Sequence, residues 1–157
     1  MAGAVKLEGF KELEKELARI DKATTAKAAL RRSLKKSAQP MADLMVSLAP
    51  DDPETAGDDL KSSIAVGTKL SKKQGSAHRK MFRNDKAAVE MFVGPGVDPA
   101  AWNQEFGNIN HGPQPFVRPA WDRDHRALVD RLGRLLWDDI QKTVARAERR
   151  AAKQRGE

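Results

Sequence analysis

Leu128, Leu132, Leu135, Leu136, Ile140 and Val144 recur at helical intervals, flanked by Val129 and Trp137, with mostly charged or polar residues between them. That spacing lays one apolar stripe along a helix. Counted from Pro119, where the pattern starts, to Arg150, just past the last apolar residues, the helix is about 45 Å long at 1.5 Å per residue. In a chain of 157 residues so long an element constrains everything else. The remaining segments must pack against part of it, and its last turns project beyond the core or meet another chain.

What precedes this helix fixes its direction. Trp102-Asn-Gln-Glu-Phe-Gly107 and Pro115-Phe-Val-Arg-Pro-Ala-Trp121 together hold two of the three Trp and two of the five Phe. Asp98-Pro99 is a helix start, a capping carboxylate followed by a proline whose missing donor costs nothing at the first helical position. Gly107 is the matching stop. The short helix between them carries Trp102, Glu105 and Phe106, the latter two one turn from Trp102. Trp102 and Phe106 could desolvate Glu105 and make it an acid. An ion pair from Glu105 to Arg118, tying the short helix to the start of the long one, is favoured over catalysis. The stretch reads as a corner built of Trp102, Glu105, Phe106, Phe116, Arg118, Pro119 and Trp121, and whether the pair closes within one subunit or between two stays open.

Upstream, Phe10, Leu13, Leu17 and Ile20 mark a first amphipathic helix, and Leu30, Leu34, Met41, Leu44, Met45 and Leu48 a second, capped by Thr24 or Thr25. Pro40 predicts a kink or a restart in it. Leu60, Ser62, Ile64 and Val66 alternate as in a strand, and Ala88 to Val93, closed by Gly94-Pro-Gly96, forms a second; the two are expected to pair antiparallel. Between them, residues 67–87 form a long basic loop, with room for a short strand near Met81-Phe82. The fold class is therefore α+β: N-terminal helices, a small antiparallel hairpin with that loop, a short helix and a long C-terminal helix. The chain is expected to be a single domain over 1–157, with 148–157 a flexible basic tail.

Charge is uneven along the chain. Lys and Arg number 29 against 22 Asp and Glu, a formal net charge of +7. Asp51, Asp52, Glu54, Asp58 and Asp59 cluster without a base, whereas Lys69, Lys72, Lys73, Arg79, Lys80, Arg83 and Lys86 oppose Asp85 alone. Such blocks read either as solvated faces or mobile segments, or as a basic loop facing nucleic acid or an acidic neighbouring subunit.

Little in the sequence points to catalysis. The chain has no Cys, so it has no disulfide framework, thiol nucleophile or thiolate metal site. His78, His111 and His125 share no ligand spacing, and no metal site is expected. Asp51-Asp52 and Asp58-Asp59 lack a calcium-loop pattern, and Asp138-Asp139 reads as a polar helix face. Ser62-Ser63 and Ser76 lack a nucleophile elbow, and no glycine-rich phosphate loop occurs; no cofactor is expected. Tyr is absent and aromatics make up 5% of the chain, too few for single-strand stacking platforms. Pro40 interrupts the place where a helix-turn-helix recognition helix would run. Neither a signal peptide nor a membrane span is visible, which predicts a soluble, unexported chain.

Several short strings stand in a telling order: Leu7-Glu-Gly-Phe-Lys-Glu-Leu13, Ser47-Leu-Ala-Pro50, Gly57-Asp-Asp-Leu-Lys-Ser-Ser-Ile64, Gln104-Glu-Phe-Gly107 and Gln114-Pro-Phe-Val-Arg-Pro-Ala120. Together they resemble the tailed-phage head–tail joining or tail-completion family, also described as minor tail proteins, typified by gene product ten of a lambda-like coliphage. Asn108 stands where that family usually has Thr, and Trp102-Asn103 where a Tyr-Ala pair is common. The resemblance implies a non-enzymatic structural virion protein of a siphophage neck, present in host cytoplasm during assembly. It also implies a homo-oligomeric ring, hexameric, in contact with neck, connector and tail-tube proteins. Such a ring surrounds exiting DNA, so Lys69, Lys72, Lys73, Arg79, Lys80 and Arg83 would face double-stranded DNA or an acidic partner. A tail terminator ring and a small non-specific DNA-binding accessory protein are the alternatives.

Overall fold

A computed structural model describes Lys15 and residues 23–50, 60–84 and 89–156. The stripe from Phe10 to Ile20 and the acidic stretch from Asp51 to Asp59 lie outside the described residues. The elements are α1 (Ala23–Leu48), α2 (Leu60–Ser63), β1 (Ile64–Gly67), α3 (Lys72–Met81), β2 (Phe92–Pro95), α4 (Pro99–Phe106) and α5 (Val117–Arg155). This is the α+β order expected: mainly helical, with one two-stranded antiparallel sheet, a short helix and a long C-terminal helix.

α1 and α5 form the frame. Arg32 meets Asp139, Ser33 meets Leu135 and Ser37 meets Arg131. Partners on α5 step backwards as α1 advances, so the two helices are antiparallel. The buried face of α1 is a ridge of every fourth residue: Ala29, Ser33, Ser37, Met41 and Met45, with Ala49 just past the helix end. Such a ridge of mostly small side chains lets a second helix approach closely. The leucines expected to line this face, Leu30, Leu34, Leu44 and Leu48, lie at its margins and are only half-buried.

Opposite the ridge, the α5 stripe behaves as its spacing predicts. Leu136 and Ile140 are buried, with Leu30, Leu132 and Val144 packed around them. A second cluster, at the other end of the pair, joins Met41, Met45 and Ala49 to Leu60, Ile64, Ala101, Phe116 and Ala120. Here the hairpin and the corner meet the frame.

Four expectations need correction. First, α1 runs through Pro40 as one helix, which excludes the restart, and both threonines lie inside it. Pro40 is exposed, so the carbonyl of Lys36 that it leaves without a helical donor can turn to water. One residue further on, the Ser37 carbonyl accepts from Arg131 Nε at 3.2 Å and from its terminal nitrogen at 2.9 Å, which compensates the backbone beside the proline.

Second, the strands are offset. Residues 60–63 are helical, and β1 occupies Ile64–Gly67. β2 runs into the Gly94-Pro95 pair expected to end it, with Ile64 opposite Pro95 and Val66 opposite Val93. The pairing is antiparallel as anticipated. Pro95 is tolerated because a two-stranded sheet leaves each strand one edge without ladder bonds.

Third, the segment expected as a basic loop contains α3. Ser71 accepts from the Gln74 backbone N–H while the Gln74 side chain accepts from the Ser71 N–H, a reciprocal capping box that starts the helix. Met81, offered as part of a strand, is its last residue.

Fourth, the terminal segment is helical. α5 continues to Arg155 and ends at Gly156 with φ 80°, giving 39 residues and a length of roughly 58 Å.

Candidate functional site

The corner between α4 and α5 is assembled by one carboxylate. Asp98 caps α4, its side chain accepting from the Ala100 N–H at 2.8 Å, and Pro99 follows at the first helical position. α4 then delivers Glu105 into the interior at 5% exposure.

Its acceptors are fully used. Glu105 Oε2 accepts from the Phe116 and Val117 N–H groups, both at 2.9 Å. Oε1 accepts from the Arg118 N–H at 3.1 Å and from Arg118 Nε at 2.8 Å. A second guanidinium nitrogen of Arg118 donates to the Glu105 carbonyl at 2.6 Å.

This solves the start of α5. A helix leaves its first backbone donors without helical partners. Phe116, Val117 and Arg118 give theirs to Glu105, and Pro119, the next residue, has none to give. The N-cap residue, Phe116, makes no cap of its own, so the cap comes from another helix. Arg118 sits with its carbon Cζ 4.8 Å from the Phe106 ring centroid, adding a cation–π contact to the ion pair. The Glu105–Arg118 pair closes within one chain.

The same arrangement decides the chemistry of Glu105. Burial alone would raise its pKa, but the Arg118 hydrogen bond and the three backbone donors outweigh it and hold the carboxyl below its usual range. A general acid needs the opposite shift. Glu105 is a fixed anion.

Around it the sequence-selected residues divide into two groups. Phe116 is fully buried and belongs to the core, while Pro119 is half-buried in the first turn of α5. Trp102, Phe106 and Trp121 remain 69%, 50% and 55% exposed. The Trp102 and Phe106 rings lie 4.4 Å apart, and Trp121 stacks on His125 at 5.6 Å. Arg118 and Trp121 also line a surface groove of about 350 Å³ with Met45, Val93, Val117 and Asp122. The corner thus exposes two aromatic groups, the Trp102–Phe106 pair with Arg118 over the Phe106 ring, and the Trp121–His125 stack beside the groove.

The connection between the helices is equally specified. Gly107 has φ 78°, and a Cβ there would lie 2.9 Å from the Pro113 nitrogen. Gln114 N–H closes on the Gln104 carbonyl at 2.7 Å. Asn108 accepts from the N–H groups of Asn110 and His111, leaving Ile109 fully exposed at the tip. Gly107→Ala is expected to destabilise the fold by about 2 kcal/mol, from strained backbone and the close approach to Pro113, measured by urea unfolding. An effect below a few tenths of a kcal/mol would contradict that geometry.

Further along α5, a polar tie escaped the sequence reading. Arg131 pairs with Asp124 at 2.6 Å while donating to the Ser37 carbonyl, and its hydrogen bonds to the Asp124 carboxylate push the guanidinium pKa further up. The seven-residue interval between Asp124 and Arg131, two helical turns, was its only sequence signal. Asp139, read as part of a polar face, pairs with Arg32 at 3.0 Å.

The basic residues sit elsewhere. Lys72, Lys73, Arg79 and Lys80 lie on α3, flanked by Lys69 and Arg83, and all six are exposed. The three His do not converge: His78 lies against Phe92, His111 within the Asn108 turn and His125 beside Trp121. Among the described residues, no group of three or more His, Asp or Glu could hold a metal ion, and no helix is long and apolar enough to cross a membrane.

No curated protein and no solved structure matches the chain. The profile of a family described as "Bacteriophage HK97-gp10, putative tail-component" matches residues 11–107, more than half of its length. That range takes in the hairpin, α3 and α4 with Glu105, and stops at the glycine that ends α4. The chain belongs to the HK97-gp10-like family of bacteriophage tail components.

Proposed function

We propose that this tail component is a structural subunit of a siphophage neck, forming a hexameric ring that joins or completes the tail at the head–tail interface around the DNA channel. The observation that carries this reading is the exposed aromatic surface of Trp102, Phe106 and Trp121, held in place by the Glu105 clamp. Large exposed rings packed on one another, as Trp102 and Phe106 are, mark an interaction surface. Fixing them before contact lowers the ordering cost of association.

A closed ring uses head-to-tail contacts, so the aromatic corner meets a different surface on its neighbour. Its other partners are neck, connector and tail-tube proteins, and its place is the virion, after assembly in host cytoplasm. On this reading the whole chain, 1–157, works as one domain, and its role is assembly rather than catalysis. A tail terminator ring would use the same surface.

Trp102→Ser tests it. The side chain is exposed, so folding stability should change by less than about 0.5 kcal/mol. Loss of a central aromatic anchor should weaken assembly by about 2 kcal/mol, roughly 30-fold. Mass in solution, alone and with a connector protein, reads the effect. A variant that forms the same particles as the wild type would sink the proposal.

A further inference from the structure

We infer that α3 is a duplex-DNA contact that reads phosphates and not bases, which names the partner of the basic surface within the neck reading above. A helix winds by about 100° per residue, so Lys72, Lys73, Ser76, Arg79 and Lys80 fall within one arc of about 120°. The charge run in the sequence is therefore a stripe in space. Lys69 and Arg83 extend it at either end. All seven residues are exposed, and among the described residues none of the six bases is paired with a carboxylate.

Bases without a carboxylate partner among the described residues can attract many anions, and the composition of the arc narrows the choice. Protein interfaces have an apolar or aromatic centre and are depleted in Lys. This arc has no apolar residue, and its centre is the hydroxyl of Ser76, a group that commonly donates to phosphate oxygens. An acidic protein segment would find charge here but no core to bury. Single strands need rings for stacking. The aromatic rings beside α3, Phe82 and Phe92, both pack on His78, off the arc, with ring centroids 4.8 and 5.2 Å away. Base reading calls for Asn, Gln or a bidentate Arg reaching into a groove. Gln74 lies off the arc, its side chain engaged in the capping box. What remains is sequence-independent contact with a double-helical phosphate backbone.

The helix is also mounted for this. It buries no residue of its own. His78, on the side away from the bases, sets its ring edge-on to Phe92 of β2 at 5.2 Å and thereby ties the helix to the hairpin. The capping box starts α3 without help from the rest of the chain. Both devices leave the basic arc free.

The test uses the full-length chain and fluorescent duplex oligonucleotides of two unrelated sequences, with anisotropy followed across NaCl concentration. Equal affinity for the two duplexes is expected. The four α3 bases should supply a log–log salt slope of about −3.6, an affinity loss of roughly 150-fold between about 50 and 200 mM salt. Changing Lys72, Lys73, Arg79 and Lys80 together to Ala should abolish most of that slope. Alanine favours helix at these exposed positions, and circular dichroism checks that α3 persists. Arg149→Ala, Arg150→Ala and Lys153→Ala on α5 form the comparison variant, expected to retain the slope. Undiminished binding by the α3 variant, a slope lost only in the α5 variant, or discrimination between the two sequences overturns the inference. Ring mass measured on the same variants keeps this result separate from the neck reading. A ring that forms without DNA affinity supports the contact, and retained affinity refutes it whether or not a ring forms.

Discussion

Glu105→Gln is expected to cost about 3 kcal/mol of stability, because it removes the charge of a buried carboxylate that accepts from three backbone N–H groups and from the solvent-exposed Arg118. In a domain of this size that is a fall of roughly 10 °C in Tm. Glutamine preserves the shape and one acceptor oxygen. It turns an NH2 group toward backbone donors that now have nothing to donate to, and it leaves Arg118 without its counter-charge. Alanine at the same position would also open a gap, so glutamine isolates the electrostatic part.

The pH dependence follows from the direction of the shift. The folded pKa of Glu105 lies below the unfolded one, so its contribution is complete above the usual carboxylate range and is lost as pH falls through the lower, folded value. The stability gap between wild type and Glu105→Gln should therefore narrow in acid. Urea unfolding at a series of pH values measures it. A gap that stays constant to the acid limit would mean that the charge contributes nothing.

Phe116→Ala is expected to cost about 4 kcal/mol, the range for deleting a fully buried aromatic ring. The ring belongs to the cluster of Met41, Met45, Leu60, Ile64, Ala101 and Ala120, where α1, the hairpin and α5 come together. Phe116→Leu should cost about 1.5 kcal/mol, since most of the volume is kept. Neither variant removes a titratable side chain, so both losses should persist as the pH falls through the carboxylate range, where that of Glu105→Gln narrows. Unfolding midpoints and m-values read both variants. A loss below about 1 kcal/mol for the alanine variant would show that the cluster is not closed around this ring.

The corner was legible in the sequence because each of its signals is local. Asp98-Pro99 and Gly107 are caps whose chemistry does not depend on tertiary structure, and they bound α4 as read. The Glu105–Arg118 pair follows from two short segments separated by a turn. What the sequence hid was that the same carboxylate also serves three backbone N–H groups, since backbone donors carry no letter of their own.

The buried face of α1 was hidden for a different reason. Apolar periodicity weights Leu over Ala and Ser, yet close helix packing favours small side chains, so Ser33 and Ser37 took the centre and the leucines the margins. α3 was missed because a helix without an apolar face has no period to detect. Its one local signal was Ser71 with Gln74 three residues on. The strand offset arose because alternation from Leu60 to Val66 is equally compatible with a helical turn followed by a short strand.

The borrowed cap bears on where this chain can be divided. The family match ends at Gly107, and the donors that Glu105 serves begin at Phe116. A fragment cut at the edge of the match would keep the carboxylate and lose every hydrogen bond that makes its burial tolerable. The complementary fragment would begin with exposed amides and no acceptor. The statistical boundary of the family therefore falls inside one physical unit, and an expression boundary drawn there would separate a charge from the groups that justify its position.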